Sequence, residues 1–250
     1  MIKLKNAEQL HIMRQAGRIT GEAILKARDA IRPGVTTKHL DDIIRAYIEK
    51  CGAKPSFLGY GGFPASACIS VNDQVIHGIP SKDKVLCEGD IVKIDVGAFY
   101  RGFHGDSANT FAVGEISAEA EQLIRVTREC WKCGVDAVRS GGRVGDIGYA
   151  VQTHAEKYGY GVVRRYVGHG VGHELHEDPE VPNFGKQGRG PRLCEGMVIA
   201  IEPMINIGTH EVRELDDGWT VLTADHSLSA HYEHTVAITE NGVEVLTLVE

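Results

Sequence analysis

The sequence predicts an α+β fold built as two similar halves, roughly 1–115 and 116–250, and three observations predict it. Arg32-Pro33-Gly34, running to Glu49-Lys50-Cys51-Gly52, returns as Arg139-Ser140-Gly141, running to Glu156-Lys157-Tyr158-Gly159, 107 positions later. The run from Cys87-Glu88-Gly89 to Ile94-Asp95 returns, with the same displacement of 107, as Cys194-Glu195-Gly196 to Ile201-Glu202. In each half a pair of segments with helical period precedes strands rich in Val and Ile. Helix pairs followed by strands describe α+β rather than alternating βαβ.

The elements follow in order. Asn6 with Gln9 three residues on is a capping box, and Leu10, Met13, Ala16, Ile19, Ala23, Ile24 and Ala27 line one face of a helix from Ala7 to Ile31. Pro33-Gly34 stops it. Thr37 opens a second helix through Leu40, Ile43, Ile44, Tyr47 and Ile48, closed by Gly52. Strands follow, with a turn at Asn72-Asp73. Ser117 opens a third helix through Leu123, Ile124, Val126 and Cys130, and Asp146 opens a fourth through Ile147, Ala150, Val151 and His154, closed by Gly159. The last hairpin turns at Asn241-Gly242.

Composition narrows the function classes. With 250 residues, 42% of them hydrophobic, the chain has ample material for one core and a single catalytic domain. Lys and Arg number 27 against 34 Asp and Glu, a net charge of −7, and Arg164-Arg165 is the densest short basic cluster, which argues against a nucleic-acid footprint. No window approaches the ~18 apolar residues of a membrane span. Met1 to Asn6 carries no apolar core of a secretion signal, so the cytoplasm is the expected location. Six scattered cysteines read as reduced thiols. Cys130 and Cys133 have the spacing of a zinc or redox pair, but no second pair accompanies them, so they are expected to be incidental thiols.

The chemistry resides in acids and imidazoles. Asp95 lies inside the apolar run Ile91–Val96, and Glu202 inside Val198–Ile205, where an unpaired charge costs several kcal/mol. His104-Gly105-Asp106 and His231-Tyr232-Glu233 lead into two further strands, so each half offers two carboxylates. Two-fold pairing of the halves brings the four together. The simple alternative is that acids near strand ends face water. Gly168-His169-Gly170-Val171-Gly172 adds an imidazole between glycines that let the backbone approach closely. Four carboxylates and one imidazole suit two divalent cations of the Mn, Fe, Co or Zn kind, and a bridged pair of ions holds a hydroxide at neutral pH.

These residues also carry a family pattern. Gly59-Tyr60, Gly62-Phe63-Pro64, Cys68-Ile69-Ser70-Val71-Asn72, His77-Gly78-Ile79-Pro80, Asp90 to Gly97, Gly105-Asp106, Gly168 to Gly172, Ile201-Glu202-Pro203 and Glu233-His234-Thr235 occur in the order found in type I methionine aminopeptidases. The chain resembles that pita-bread metallopeptidase family along nearly all its length. The resemblance implies a metal set of Asp95, Asp106, His169, Glu202 and Glu233, with Asp106 and Glu233 bridging two ions. It implies that His77 contacts the substrate, His176 stabilises the tetrahedral intermediate and Glu202 shuttles a proton. It implies a methionine pocket of Tyr60, Phe63, Cys68, Leu175 and Trp219. The implied partners are nascent polypeptide N-termini, with association to the ribosome, and the implied state is a monomer.

Departures and rivals complete this reading. Phe57 stands where some relatives carry cysteine or tyrosine, and Leu175 where others carry phenylalanine; both stay apolar. No zinc-finger extension precedes the first helix, and the short span from His176 to Glu202 leaves no room for the insertion of the type II enzymes. His173, His226, His231 and His234 match no ligand position and are expected behind the site or on the surface. Glu211, Glu214, Asp216 and Asp217 are expected to be a solvated acidic hairpin. The rival functions are a proline-directed peptidase of the same fold and a non-catalytic binding module that keeps the fold.

Overall fold

The computed structural model describes residues 1–249. α1 (Ala7–Arg28) starts with the expected capping box: the Asn6 side chain accepts from the Gln9 backbone, and the Gln9 side chain accepts from the Asn6 backbone. It stops at Arg28 rather than Ile31, because Ala30 and Ile31 donate three residues back, to Ala27 and Arg28, ahead of Pro33. α2 (Thr37–Lys50) is capped by Thr36, whose side chain accepts from His39. Next come β1 (Lys54–Pro55), β2 (Ala67–Val71), β3 (Gln74–Ile76), β4 (Ile91–Tyr100) and β5 (Phe103–Ala112).

The second helix pair is α3 (Ala118–Asp136), capped by Ser117 as expected, and α4 (Val144–Glu156). Asp146 does not open α4. It stands in the first turn, where its carboxylate accepts the Arg143 backbone N–H and favours the positive end of the helix dipole. The remaining strands are β6 (Gly161–Val162), β7 (Gly168–Gly170), β8 (Glu177–Val181), β9 (Val198–Ile201), β10 (Met204–Asn206), β11 (Val212–Glu214), β12 (Val221–Thr223), β13 (Ser229–His231), β14 (Glu233–Thr239) and β15 (Gly242–Val245). The β14–β15 turn falls on Glu240-Asn241, one residue earlier than expected, since Thr239 pairs with Gly242.

One antiparallel sheet carries the molecule, in the order β1-β4-β5-β14-β9-β7-β8, with β2 also on β4 and β15 also on β14. Two three-stranded sheets, β13-β10-β6 and β11-β12-β3, stand beside it. The α1–α2 pair packs on the β2–β4 part through Ile24, Leu40, Ile44, Ile48, Ile69 and Ile94. Helices α3 and α4 close the other part through Leu123, Val126, Ile147, Val151, Ile199 and Ile201. Among the described residues no helix is long and apolar enough to cross a membrane.

α1 lies unusually close to β5. A Cβ placed on Gly105 would sit 2.7 Å from both the Cα and the N of Gly17, so two backbones touch where two glycines meet. Thr20 adds a hydrogen bond from its hydroxyl to the Gly105 carbonyl at 3.1 Å. Gly105→Ala is therefore expected to lift the helix and lower stability by about 1–3 kcal/mol, as overpacking does. Urea unfolding should show a lower midpoint with an unchanged slope. A midpoint equal to that of the parent would show that α1 shifts at no cost.

Candidate active site

Register places the acids. Cys68 pairs with Asp95 across β2–β4, Asp95 with Ala108 across β4–β5, and Ala108 with Glu233 across β5–β14. Directly opposed residues share a face, so these four form one row across the sheet. Asp106 lies two residues before Ala108 and points the same way. His234 pairs with Ile201, which brings Glu202 level with Glu233 as the chain leaves β9. Gly170 pairs with Ile199, which puts His169 level with Ala200 and on the face of Glu202. Ala108, in the middle, has only a methyl group and leaves the centre of the row open.

Glu202 departs from the sequence expectation: it is not inside a strand. It occupies the junction between β9 and β10, where the chain passes from the large sheet to a small one. Pro203 follows it and cannot donate to a ladder, which ends the strand there. Asn183 fixes the junction by donating to the Glu202 carbonyl at 3.0 Å.

The strands bearing the acids are fastened by hydroxyls. Thr235 accepts the Asp106 N–H at 3.0 Å and donates to the Asp106 carbonyl at 2.7 Å, and Ser107 donates to the Glu233 carbonyl at 2.6 Å. His169 is held between close-packed backbones: a Cβ on Gly168 would strike the Ala200 carbonyl, and one on Gly170 the Asp178 carbonyl. The His169 Nδ1 donates to the Gly170 carbonyl at 2.9 Å, which leaves Nε2 as the free donor atom.

That Nε2 lies 3.5 Å from Glu202 Oε1 and 3.7 Å from Asp106 Oδ2. Asp106, His169 and Glu233 each present a ligand atom within 4.8 Å of the others. Burial pushes Asp95, Glu202 and Glu233 well above the usual carboxylate range, with further repulsion from neighbouring acids, and raises Asp106 to about 7. Burial also drives His169 down to about 3, so its imidazole is neutral. Asp95 Oδ1 and Asp106 Oδ1 are buried without a hydrogen-bond partner. Orphaned carboxylate oxygens around a neutral imidazole nitrogen fit divalent cations.

The acids line a cavity of about 320 Å³. All twelve site residues expected from the sequence border it: the five acid and imidazole positions, His77, His176, Tyr60, Phe63, Cys68, Leu175 and Trp219. Phe57, Phe63, Cys68 and Leu175 are buried together, with Trp219 edge-on to Phe63 at 5.1 Å between ring centroids. His77 sits at φ 57°, a left-handed backbone uncommon outside glycine, with its ring edge-on to Tyr166 and its pKa pushed down to about 4 by burial. His176 stands at the exposed mouth, its Nδ1 2.7 Å from the Tyr60 hydroxyl.

Sequence reasoning left out Ile76, Arg165, Tyr166 and Val167, which also line the cavity. The signal for Tyr166 and Val167 was their place directly before Gly168-His169. His173 and His226 are on the surface, as one option had it, whereas His231 and His234 are buried. Cys130 and Cys133 are both free thiols, and burial pushes the Cys130 thiol up.

The profile of metallopeptidase family M24 matches residues 11–240. A methionine aminopeptidase of Clostridium acetobutylicum is 56% identical over 250 residues, covering 100% of both chains. The crystal structure of methionine aminopeptidase from Thermotoga maritima superposes with a TM-score of 0.98 at 45% identity, again over 100% of both chains. The prolidase of Pyrococcus furiosus shares the fold with a TM-score of 0.79 at 29% identity, covering 99% of this chain but 66% of its own. Matched end to end in sequence and backbone, this chain belongs to metallopeptidase family M24, whose pita-bread fold it adopts, and stands among the methionine aminopeptidases.

Proposed function

We propose that the chain removes the N-terminal methionine from new polypeptides in the cytoplasm, favouring a small second residue, and acts as one catalytic unit of two halves, 1–115 and 116–250. The observation that carries this reading is a cluster of four carboxylates, three of them buried and Asp95 half-buried, with a neutral imidazole, lining one apolar, aromatic-walled cavity. As an M24 metallopeptidase it uses divalent metal. We take the number as two ions, of the Co, Mn, Fe or Zn kind, held by Asp95, Asp106, His169, Glu202 and Glu233. When bound, such cations polarise a carbonyl and lower the pKa of water.

The chain's own groups do the rest. In hydrolysis, water adds to the first peptide carbonyl, the C–N bond breaks, and the shortened chain leaves as an amine that has gained a proton. Glu202, lining the cavity beside the scissile position and held by burial above the usual carboxylate range, is the carrier of that proton. His77, neutral and half-buried at the cavity edge, hydrogen-bonds the scissile amide. With the Tyr60 hydroxyl donating to Nδ1, the His176 ring proton sits on Nε2, ready for the developing oxyanion. Phe63, Cys68, Leu175 and Trp219 accommodate a thioether through apolar and sulfur–aromatic contacts and reject charged side chains by desolvation.

Protonation ties this site to stability. Unfolding returns Asp106 from about 7 to 3.8, and Asp95, Glu202 and Glu233 also fall, so above pH 4 the folded state binds more protons and these acids lose stability as pH rises. His77, His104, His169, His231 and His234, held at about 3 to 4 against 6.5, act oppositely: up to pH 6.5 the unfolded chain binds more protons. Above that pH the histidines are spent. Lys93, buried and pulled down to about 7 from 10.5, opposes the four acids with one proton only. The chelated protein should therefore lose urea stability as pH rises above 6.5 through the range in which these acids ionise, and Mn(II) should remove the loss by holding the acids ionised. A chelated midpoint that rises over that range would contradict the buried-acid account.

Substrate choice tests the activity. Met-Ala-Ser should be cleaved, Met-Lys-Ser and acetyl-Met-Ala-Ser poorly, and Leu-Ala-Ser with a penalty of only ~1–3 kcal/mol. Preferential cutting before proline would favour the prolidase-like rival. His77→Ala should lower kcat and kcat/KM together by ~10²–10⁴-fold with metal content unchanged. Loss of a metal ion in that variant would make His77 a ligand.

A further inference from the structure

One buried polar side chain near the site has no partner and no assigned task. His231 ends β13, is 2% exposed, and neither ring nitrogen has a hydrogen-bond partner. Its Nε2 lies 3.9 Å from Glu202 Oε2 and 3.9 Å from Glu233 Oε2, so it faces one oxygen of each acid. The backbone behind the ring is pinned: Thr110 accepts the His231 N–H at 3.0 Å and donates to the His231 carbonyl at 2.8 Å. Lys93 pairs with Thr110 and Ser70 with Lys93, so a second polar row, Ser70-Lys93-Thr110-His231, runs behind the acids.

An imidazole with both nitrogens buried and unpaired costs more than an apolar side chain of similar size. The arrangement is reasonable only if a nitrogen finds a partner when the site is in use. Once the acids are ionised, both neighbours of Nε2 are acceptors, which places the ring proton on Nε2, and either carboxylate reaches hydrogen-bond distance by moving less than ~1 Å.

We propose that His231 is a positioning residue that holds Glu202 and Glu233 through an Nε2–H shared between their facing oxygens, leaving the other oxygens aimed at the cations. The inference rests on the proposed metal role of those two acids. Such supporting bonds are worth ~10–100-fold in metal affinity.

Calorimetric titration of the chelated protein with Mn(II) tests it on three variants. His231→Leu should weaken binding ~10–100-fold with the stoichiometry unchanged. His231→Gln, whose amide reaches as far as Nε2, should bind nearly as the parent does, and His231→Asn, one methylene short, should behave as the leucine variant. If the leucine variant fails to fold, the Gln-against-Asn contrast still decides. Parental affinity in His231→Leu, or in His231→Asn, overturns the proposal. So does loss of a whole equivalent of metal in every variant, which would make His231 a ligand. Glu233→Gln separates the two claims: if it keeps both metals, the acid reading fails with the inference. If it loses metal while His231→Asn does not, the inference alone fails.

Discussion

Asp95, Asp106, Glu202 and Glu233 lose their water on one face of a sheet, and the remaining architecture serves to hold them there. Among the described residues, no lysine or arginine lies within 4.0 Å of their oxygens, and the only basic groups that do are the neutral imidazoles of His169 and His231. Ionised together, four such acids would drive the strands apart, since desolvation of each costs several kcal/mol even after relaxation. Two responses are open to the folded chain: keep protons on the acids, or accept cations. The raised pKa values describe the first, and the orphaned oxygens of Asp95 and Asp106 prepare the second.

A repulsive cluster needs a stiff mount, and stiffness here comes from register. The β4–β5 turn is Arg101-Gly102, both left-handed at φ 47° and 90°, which fits the twist of a two-residue hairpin. That turn sets Tyr100 against Phe103 and therefore Asp95 against Ala108. A slip of one residue would send every side chain of the strand to the opposite face, where the helix pair packs. The hydroxyls of Thr235 and Ser107 then fasten β5 to β14 across the seam between the two pairs of acids.

The sequence revealed what local rules dictate. One capping box, single cap residues and periodicity placed the helices to within a few residues, and the repeat displaced by 107 pointed to paired acids. The family resemblance supplied the pocket set, which periodicity alone could not, because aromatic residues are as common in cores as in pockets. Other features depend on contacts between distant segments. Glu202 falls between strands because β9 and β10 belong to different sheets, a change of partner invisible in a continuous apolar run. His231 looked like any histidine beside a motif, and its significance lies in two acids that only folding brings to its Nε2.

The two pairs of acids are joined in unequal ways, and the inequality explains how a repeated framework obtains a selective pocket. A two-residue turn is all that separates the strands bearing Asp95 and Asp106. From Glu202 to Glu233 the chain makes a long excursion through β10, β11, β12 and β13 before returning to the large sheet. That excursion pairs β12 with β3, which ends at Ile76, and carries Trp219 against Phe63 in the cavity wall. It also delivers His231 behind the acids. The acid pair itself needs only one tight hairpin, as β4 and β5 show. The added segments of the second connection therefore furnish the parts that a bare cluster of carboxylates lacks: an apolar wall to choose the side chain, and a buried imidazole facing the acids.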